Sequence, residues 1–188
     1  MDPFVAPGLD CRAALVLGGA RSGKSRYAQA LAEAAAPERL YLATASAGDA
    51  EMAARIARHR AERGAGWRTL EEPLELAAAL RAEAHEGRVV LVDCVTLWLS
   101  NVLLANQDPA EKIADLVETI ATLGGPAVFV SNEVGAGVVP ATELGRAFRD
   151  WQGRANQELA RRCDAVALVA AGLPVLLKPA PRPNLRLR

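Results

Sequence analysis

The sequence predicts a layered α/β domain in which a mostly parallel central sheet has helices on both faces. Aliphatic runs without polar alternation, such as residues 89–92, are typical of parallel strands covered on both sides. Segments with apolar residues at helical spacing separate these runs, and glycines or polar residues follow them. Because ligands bind beyond the carboxyl ends of such strands, function is expected in the segments that follow the strands.

The order of the elements follows from these patterns. The apolar runs predict strands at residues 13–17, 40–44, 67–70, 89–92, 127–130, 165–169 and 175–177. The segments between them predict helices at residues 23–35, 50–63, 73–87, 96–105, 109–123 and 142–162.

Local signals set several helix boundaries. Pro37 stops the first helix because proline cannot continue the hydrogen-bond ladder. Pro73 is expected in the first turn of a helix that ends near Gly87, and Asp108 is expected to cap the helix that begins at Pro109. On the last helix, three apolar side chains are predicted to face inward: Phe148, Trp151 and Leu159.

Length and composition predict one globular domain. The chain has 188 residues, of which 51% are hydrophobic and 23% charged, and no internal repeat divides it. The core is expected over about residues 13–178. Residues 179–188 mix proline and arginine with little to bury, so this tail is predicted to be disordered.

Charge and cysteine content exclude several classes of protein. Lys+Arg and Asp+Glu both total 22, so no broad cationic field is available to hold a nucleic acid. The three cysteines form no CxxC pair, which argues against a disulfide framework or a zinc site and favours the reducing cytoplasm. The longest apolar run, residues 165–177, contains Gly172 and Pro174 and is too short to insert into a membrane.

A glycine-rich segment follows the first predicted strand and precedes the first predicted helix. It matches G-x-x-x-x-G-K-[ST] with Gly18, Gly19, Ala20, Arg21, Ser22, Gly23, Lys24 and Ser25. Backbone N–H groups of such a loop surround phosphate oxygens, and the helix N-terminus adds partial positive charge. Lys24 would reach the β- and γ-phosphates and Ser25 would bind Mg²⁺, so the motif predicts a nucleoside triphosphate site. The alternative is a chance glycine turn before a helix.

Asp93 ends the aliphatic strand at residues 89–92. Beside a phosphate loop, a carboxylate in this place is predicted to hold Mg²⁺ directly or through water. The alternative is an aspartate that caps the next turn.

The two histidines differ in their surroundings. Arg55, His59 and Arg63 fall on one stripe of the predicted charged helix. Neighbouring guanidinium groups favour the neutral, nucleophilic imidazole, which could attack a phosphorus atom and form a phosphoramidate. Spacing alone favours the alternative, an exposed surface histidine. His85 lies near a predicted helix C-terminus and is assigned no role.

Several motifs in order carry a resemblance to a known family. They are residues 18–26, 41–45, 51–56 with His59, 67–69, 92–101, 131–140 and 148–157. Together they span about residues 13–178 and resemble the bifunctional adenosylcobinamide kinase / adenosylcobinamide-phosphate guanylyltransferases of cobalamin biosynthesis. The resemblance implies a P-loop (RecA-like) NTPase fold.

The resemblance also implies two reactions, with Mg²⁺ as cofactor and ATP and GTP as substrates. The first phosphorylates the aminopropanol hydroxyl of adenosylcobinamide. The second transfers GMP from GTP onto that phosphate and releases pyrophosphate. In the family the GMP passes through a guanylylated histidine, and the matching residue is His59.

Family contacts to the nucleotide carry over to the phosphate loop and to further positions. These are Thr44, Ala45, Ser46, Arg60, Ala61, Glu62, Arg63, Glu71 and Asp93. Glu133 and Asn132 follow a predicted strand where substrate is expected, so Glu133 is a candidate base for the acceptor hydroxyl, with an arginine-paired loop carboxylate as the alternative. One departure is Gly64, which stands where many relatives have proline.

Quaternary structure and two competing functions stay open at this point. Some relatives are trimers, so a homo-oligomer such as a trimer is expected; Trp98, Leu99, Phe148 and Trp151 could form its interface or equally the core. The competing functions are a plain P-loop small-molecule kinase and a non-catalytic nucleotide-binding regulatory module. Neither would trap GMP covalently.

Overall fold

A computed structural model describes residues 10–45 and 66–179. The strands of this part are β1 (Ala13–Gly18), β2 (Glu38–Ala43), β3 (Trp67–Glu71), β4 (Arg88–Asp93), β5 (Ala127–Asn132), β6 (Ala165–Ala170) and β7 (Leu173–Lys178). The helices are α1 (Lys24–Ala35), α2 (Leu76–Glu83), α3 (Val95–Leu104), α4 (Pro109–Ala121) and α5 (Glu143–Arg162). The predicted helix at residues 50–63 and the predicted disordered tail from residue 180 onward lie outside the described residues.

The seven strands form one sheet in the order β3-β2-β4-β5-β1-β6-β7. All neighbours are parallel except β6 and β7, which form an antiparallel hairpin. Ala171 and Gly172 make its two-residue turn with φ of 52° and 80°, and positive φ at both positions is what a tight hairpin turn requires. The mostly parallel sheet predicted from the aliphatic runs is confirmed.

Two hydrophobic cores lie on opposite faces of the sheet. Alternate residues of β1 divide between them, with Leu15 on the face packed by α2 to α5 and Val16 on the face packed by α1. Trp98 and Leu99 belong to the first core and are 1% and 0% exposed. These two residues are therefore core and not interface surface. No helix in the described ranges is long and apolar enough to cross a membrane.

The second described helix begins later than the sequence predicted. Pro73 was expected in its first turn, but α2 starts at Leu76. The carboxylate of Glu72 accepts hydrogen bonds from the backbone N–H groups of Leu74 and Glu75, at 3.0 and 2.8 Å. This local turn occupies the residues after Pro73, so the helix begins only once the turn is complete.

The inward face of α5 also differs from the prediction. Leu159 is fully buried and the half-buried Trp151 packs against the first core, both as expected, but Phe148 is half-buried outside both cores. The buried face instead carries Gln152, Ala155, Asn156 and Leu159. The prediction considered only hydrophobic side chains and so overlooked the amides of Gln152 and Asn156. Their burial is possible because they form hydrogen bonds inside the protein.

Candidate active site at the carboxyl edge of the sheet

The predicted phosphate loop connects β1 to α1. A Cβ atom on Gly18 would lie 2.4 Å from Ser22 Oγ and 2.7 Å from the carbonyl oxygen of Val169, so no larger residue fits there. Gly23 caps α1 with φ of 94°, a left-handed conformation that glycine adopts without strain. Lys24 Nζ donates a hydrogen bond of 3.1 Å to the carbonyl of Gly19. The ammonium group therefore lies over the loop, where a phosphate would bind.

The β6–β7 turn supports the same loop from the side. The Gly172 N–H donates a hydrogen bond of 2.8 Å to the carbonyl of Ser22. A Cβ on Gly23 would lie 3.2 Å from Gly172 Cα, so the two backbones are in close contact. The antiparallel hairpin thus holds the phosphate loop in place.

Asp93 ends β4, two strands away from β1 in the sheet order. Its carboxylate is half-buried, and the Tyr41 hydroxyl donates a hydrogen bond of 2.9 Å to Oδ2. The Tyr41 ring meets Trp67 edge-on, with centroids 6.4 Å apart, and Trp67 Nε1 donates to Glu33 at 3.3 Å. One oxygen of Asp93 is thereby oriented by the protein at the edge where substrates are expected.

Thr44 follows β2 and is fully buried. Its hydroxyl donates a hydrogen bond of 2.8 Å to the Cys94 carbonyl and accepts one of 2.9 Å from the Cys94 N–H. Asn101 Nδ2 donates to the Thr44 carbonyl at 2.8 Å. Since its hydroxyl is used within the protein, Thr44 holds the turn after Asp93, and its neighbour Ala45 is the nearer residue to the edge.

The Cys94 thiol is not a nucleophile candidate. Burial raises its pKa to about 11, with the neighbouring Asp93 carboxylate adding to the effect. The group is therefore protonated at neutral pH, and the reactive form of a cysteine is the thiolate.

Glu133 lies directly beside the phosphate loop. Its backbone N–H donates a hydrogen bond of 3.2 Å to the carbonyl of Gly18. Its exposed carboxylate accepts a hydrogen bond of 2.9 Å from the Gly135 N–H, and no arginine of the described ranges forms a hydrogen bond or ion pair with it. This is where the sequence placed the candidate base.

Of the remaining predicted site residues, only Glu71 lies in the described ranges. Glu71 is exposed at the end of β3, four strands from β1, which at about 4.8 Å per strand is roughly 19 Å. Glu71 and Lys24 therefore cannot contact the same phosphate group. The others lie outside the described residues: Ser46, His59, Arg60, Ala61, Glu62 and Arg63. Within the described ranges, no three His, Cys, Asp or Glu side chains form a metal-binding group.

The sequence interpretation missed a set of buried polar residues at this edge. They are Thr96, Ser131, Gln152 and Asn156, and hydrogen bonds connect them to one another and to the half-buried Asn132, which the sequence had already placed beside Glu133. The available signal was the pair of amides four residues apart on the otherwise apolar stripe of α5.

Comparison with known proteins identifies the family. Residues 14–177 match the family model described as cobinamide kinase / cobinamide phosphate guanyltransferase. The chain belongs to this family. The family resemblance and the bifunctional enzyme class inferred from the sequence motifs are confirmed.

Similar proteins cover nearly the whole chain. A bifunctional adenosylcobalamin biosynthesis protein CobP of Pseudomonas aeruginosa is 54% identical over 170 residues, covering 89% of this chain and 98% of that protein. A bifunctional adenosylcobalamin biosynthesis protein CobU of Escherichia coli is 41% identical over 179 residues, covering 87% and 98%.

A solved structure supports the fold. An ATPase of a bacterial type III secretion system has a TM-score of 0.54 at 11% sequence identity, and the match covers 88% of this chain and 56% of that one. At this identity the likeness concerns the fold alone. The P-loop NTPase fold predicted from the motifs is confirmed.

Proposed function

We propose that this protein both phosphorylates adenosylcobinamide and transfers GMP from GTP onto the resulting phosphate, as expected of its family. The nucleotide binds on the loop at residues 18–25. The observation that carries the proposal is the formed phosphate loop at the end of β1, with Lys24 over it and Glu133 beside it. The corrinoid acceptor is adenosylcobinamide, and the nucleotides are ATP or GTP.

Nucleotide binding rests on the backbone of the loop and on Lys24. The N–H groups at the start of α1 face the loop and favour negative charge. We assign further nucleotide contacts to Ala45, which follows β2, and to Glu71, which ends β3. The family resemblance adds Ser46 and residues 60–63. Thr44 acts by holding the turn after Asp93.

Ser25 and Asp93 are the residues that would hold Mg²⁺. A hydroxyl and a carboxylate are hard oxygen donors, and Mg²⁺ in nucleotide sites usually takes its other ligands from phosphates and water. The described ranges offer no three-carboxylate cage, which fits such a shared site. When bound, the ion supplies positive charge to the phosphate oxygens.

In the kinase reaction, Glu133 accepts the proton of the acceptor hydroxyl. That oxygen forms a bond to the γ-phosphorus, the bond from the γ-phosphorus to the β–γ bridging oxygen breaks, and the nucleoside diphosphate leaves. Lys24 stabilises negative charge on the phosphate oxygens. The products are adenosylcobinamide phosphate and ADP or GDP.

In the guanylyl transfer, a neutral imidazole nitrogen of His59 attacks the α-phosphorus of GTP and pyrophosphate leaves. A phosphate oxygen of adenosylcobinamide phosphate then attacks the same phosphorus, the phosphorus–nitrogen bond breaks, and His59 is regenerated. The product is adenosylcobinamide-GDP. Splitting the reaction in two in this way is the general advantage of a covalent intermediate.

The experiment is to incubate the protein with Mg²⁺ and GTP labelled at either the α- or the γ-phosphate and to follow label on the denatured protein. We expect acid-labile, base-stable label from the α position only. His59→Ala should abolish it, and His85→Ala, which changes the other histidine, should retain it. Absence of label in a protein that binds GTP would contradict the covalent mechanism.

Assembly and location are part of the proposal. We propose a homo-oligomer, with a trimer as the expected form, and a location in the cytoplasm. Cys11, Cys94 and Cys163 are free thiols, which fits a reducing compartment. Light scattering on the purified protein measures the assembly directly.

A further inference from the structure

Three of the motif segments meet in one buried group of polar side chains. Thr96 lies in the first turn of α3, Ser131 and Asn132 end β5, and Gln152 and Asn156 lie on the sheet-facing side of α5. We call these five residues the polar cluster. Four of the five are deeply buried, with exposures of 7% for Thr96, 0% for Ser131 and Gln152, and 6% for Asn156, while Asn132 is half-buried.

The polar cluster holds the backbone of Asn132. Its N–H donates a hydrogen bond of 2.7 Å to Thr96 Oγ1, and its carbonyl accepts one of 3.0 Å from Asn156 Nδ2. The register of β4 with β5 ends at Val130, whereas β1 continues to pair through Asn132. On the side where β4 has ended, two side chains therefore take the place of a neighbouring strand.

The remaining hydrogen bonds orient the Asn156 amide. Ser131 Oγ donates to Asn156 Oδ1 at 2.7 Å, and Gln152 Nε2 donates to the same oxygen at 2.9 Å. Gln152 Nε2 also donates to Ser131 Oγ at 2.9 Å. With its oxygen occupied in this way, Asn156 directs its Nδ2 donor at the Asn132 carbonyl.

One polar atom of the cluster lacks a partner among the described residues. Gln152 Oε1 is buried and has no hydrogen-bond partner in the described part of the chain. Leaving such an oxygen unpaired costs about 1–3 kcal/mol, whereas an apolar side chain of similar size carries no such cost. A role in positioning explains why amides occupy a face that could be apolar.

What the polar cluster positions is the corner formed by Asn132 and Glu133. Thr96 and Asn156 hold this corner on the β4 side, and the hydrogen bond from Glu133 N–H to the Gly18 carbonyl holds it on the β1 side. The corner is thereby fixed against the phosphate loop, with the Glu133 carboxylate exposed next to it.

We propose that Thr96 and Asn156, supported by Gln152, are positioning residues that set the Asn132–Glu133 corner for phosphoryl transfer to the acceptor hydroxyl. The inference rests on the proposed kinase function. Loss of the cluster's hydrogen bonds to Asn132 lowers kcat for phosphoryl transfer and leaves the affinity for the nucleotide less affected. Guanylylation of His59, which does not use Glu133, is spared.

The test compares Thr96→Val, which removes the hydroxyl at nearly constant volume, with Thr96→Ser, which keeps it. We expect Thr96→Val to lower kcat for phosphorylation of cobinamide about tenfold, equivalent to about 1.4 kcal/mol. The Kd for GTP and the α-phosphate label on the protein should stay near wild type, and Thr96→Ser should retain most of kcat. A wild-type kcat in Thr96→Val, or equal losses in both variants, would overturn the inference.

A second variant keeps the test decisive if Thr96→Val folds poorly. Gln152→Met removes the unpartnered oxygen together with the two hydrogen bonds that Nε2 donates, so we expect little change in Tm together with a lower kcat. An unchanged kcat in a folded Gln152→Met protein counts against the inference. If the wild-type protein binds GTP but does not phosphorylate cobinamide, the proposed function itself is refuted. If the wild type is active and the variants are equally active, only the positioning role is refuted.

Discussion

The hydroxyl of Tyr41 lies 2.9 Å from Oδ2 of Asp93 and donates a hydrogen bond to it. Tyr41 lies on β2 and Asp93 at the end of β4, and these strands pair directly, with Ala43 opposite Asp93. Tyr41 stands two residues before Ala43 on this neighbouring strand, and its hydroxyl orients the carboxylate that we assign to Mg²⁺. In the proposed magnesium site, the other oxygen of Asp93 would bind the ion or its water.

Tyr41→Phe tests this relationship. Removing the hydroxyl leaves the ring and its packing, but Asp93 loses a partner worth about 1 kcal/mol. Because this bond is already formed without nucleotide, we expect Tm to fall by about 2–4 °C. The Kd for Mg²⁺-bound GTP, measured by calorimetric titration, should rise by up to roughly fivefold. Tyr27→Phe, which changes the other tyrosine, is the control and should bind as wild type does. A wild-type Kd in Tyr41→Phe would show that the hydrogen bond does not serve the metal site.

Two adjacent glycines of the phosphate loop provide a matched pair. A Cβ on Gly18 would collide with Ser22 Oγ and the Val169 carbonyl, whereas a Cβ on Gly19 would meet nothing within 4 Å. We therefore expect Gly18→Ala to lower stability by about 1–3 kcal/mol and Gly19→Ala to leave it nearly unchanged. Thermal unfolding without nucleotide measures both. Equal Tm values for the two variants would contradict this description of the loop.

Thr44→Val removes a hydroxyl that both donates to and accepts from the Cys94 backbone. The side chain is fully buried, so the Cys94 N–H and carbonyl lose a partner that water cannot replace. We expect a loss of about 2–3 kcal/mol in the free energy of unfolding. Thr44→Ser keeps the hydroxyl and loses one methyl group, about 1 kcal/mol. Denaturant titration should give a lower free energy of unfolding for Thr44→Val than for Thr44→Ser. The reverse order would be inconsistent with the role assigned to the hydroxyl.

Glu83, at the end of α2, gives a pH-dependent prediction. It accepts a hydrogen bond from Arg68 on β3 and pairs with Arg88 on β4 at 2.7 Å. The hydrogen bond from Arg68 is the main reason that the pKa of Glu83 is lowered. A carboxyl group with a lowered folded-state pKa stabilises the protein above its unfolded-state pKa, and this stability is lost as pH falls through the folded-state pKa.

We expect Glu83→Gln to unfold about 2–4 °C below wild type at pH 7, which corresponds to about 1 kcal/mol for a domain of this size. The difference should shrink as pH falls through the folded-state pKa of Glu83, where the wild-type carboxyl becomes protonated as well. Exposed Glu86, changed to Gln, is the control and should unfold at the wild-type temperature at pH 7. A gap of constant size across the acid range would mean that shape and not charge is responsible.

Glu133→Gln tests the candidate base. The amide cannot accept the proton of the acceptor hydroxyl, so we expect loss of the kinase reaction. Self-guanylylation should be kept, because His59 performs it. The two rates are followed with γ- and α-labelled GTP in parallel. A kinase rate equal to wild type would remove Glu133 from the mechanism.

The strands and the phosphate loop could be predicted from the sequence because their signals are local. Aliphatic runs such as Val89 and Val90 can be buried on both faces only in a covered parallel sheet, and glycines at fixed spacing are required where backbone approaches phosphate. The sequence placed the Gly18 loop, Asp93 and Glu133 at one edge for this reason. The sequence placed Pro73 in the first turn of a helix, and this was wrong. The Glu72 carboxylate accepts hydrogen bonds from the backbone N–H groups of this segment, so the helix begins only after it.

By itself the sequence determined the α/β class, the phosphate loop, the candidate residues and the family. Only the tertiary structure decided which polar groups are already used inside the protein, such as the Thr44 hydroxyl on Cys94, and which carboxylate is held by which partner, such as Asp93 by Tyr41. It also decided that amides on α5 support the end of β5. The physical reason is that hydrogen bonds between residues far apart in the chain depend on strand order and register, which local patterns do not encode.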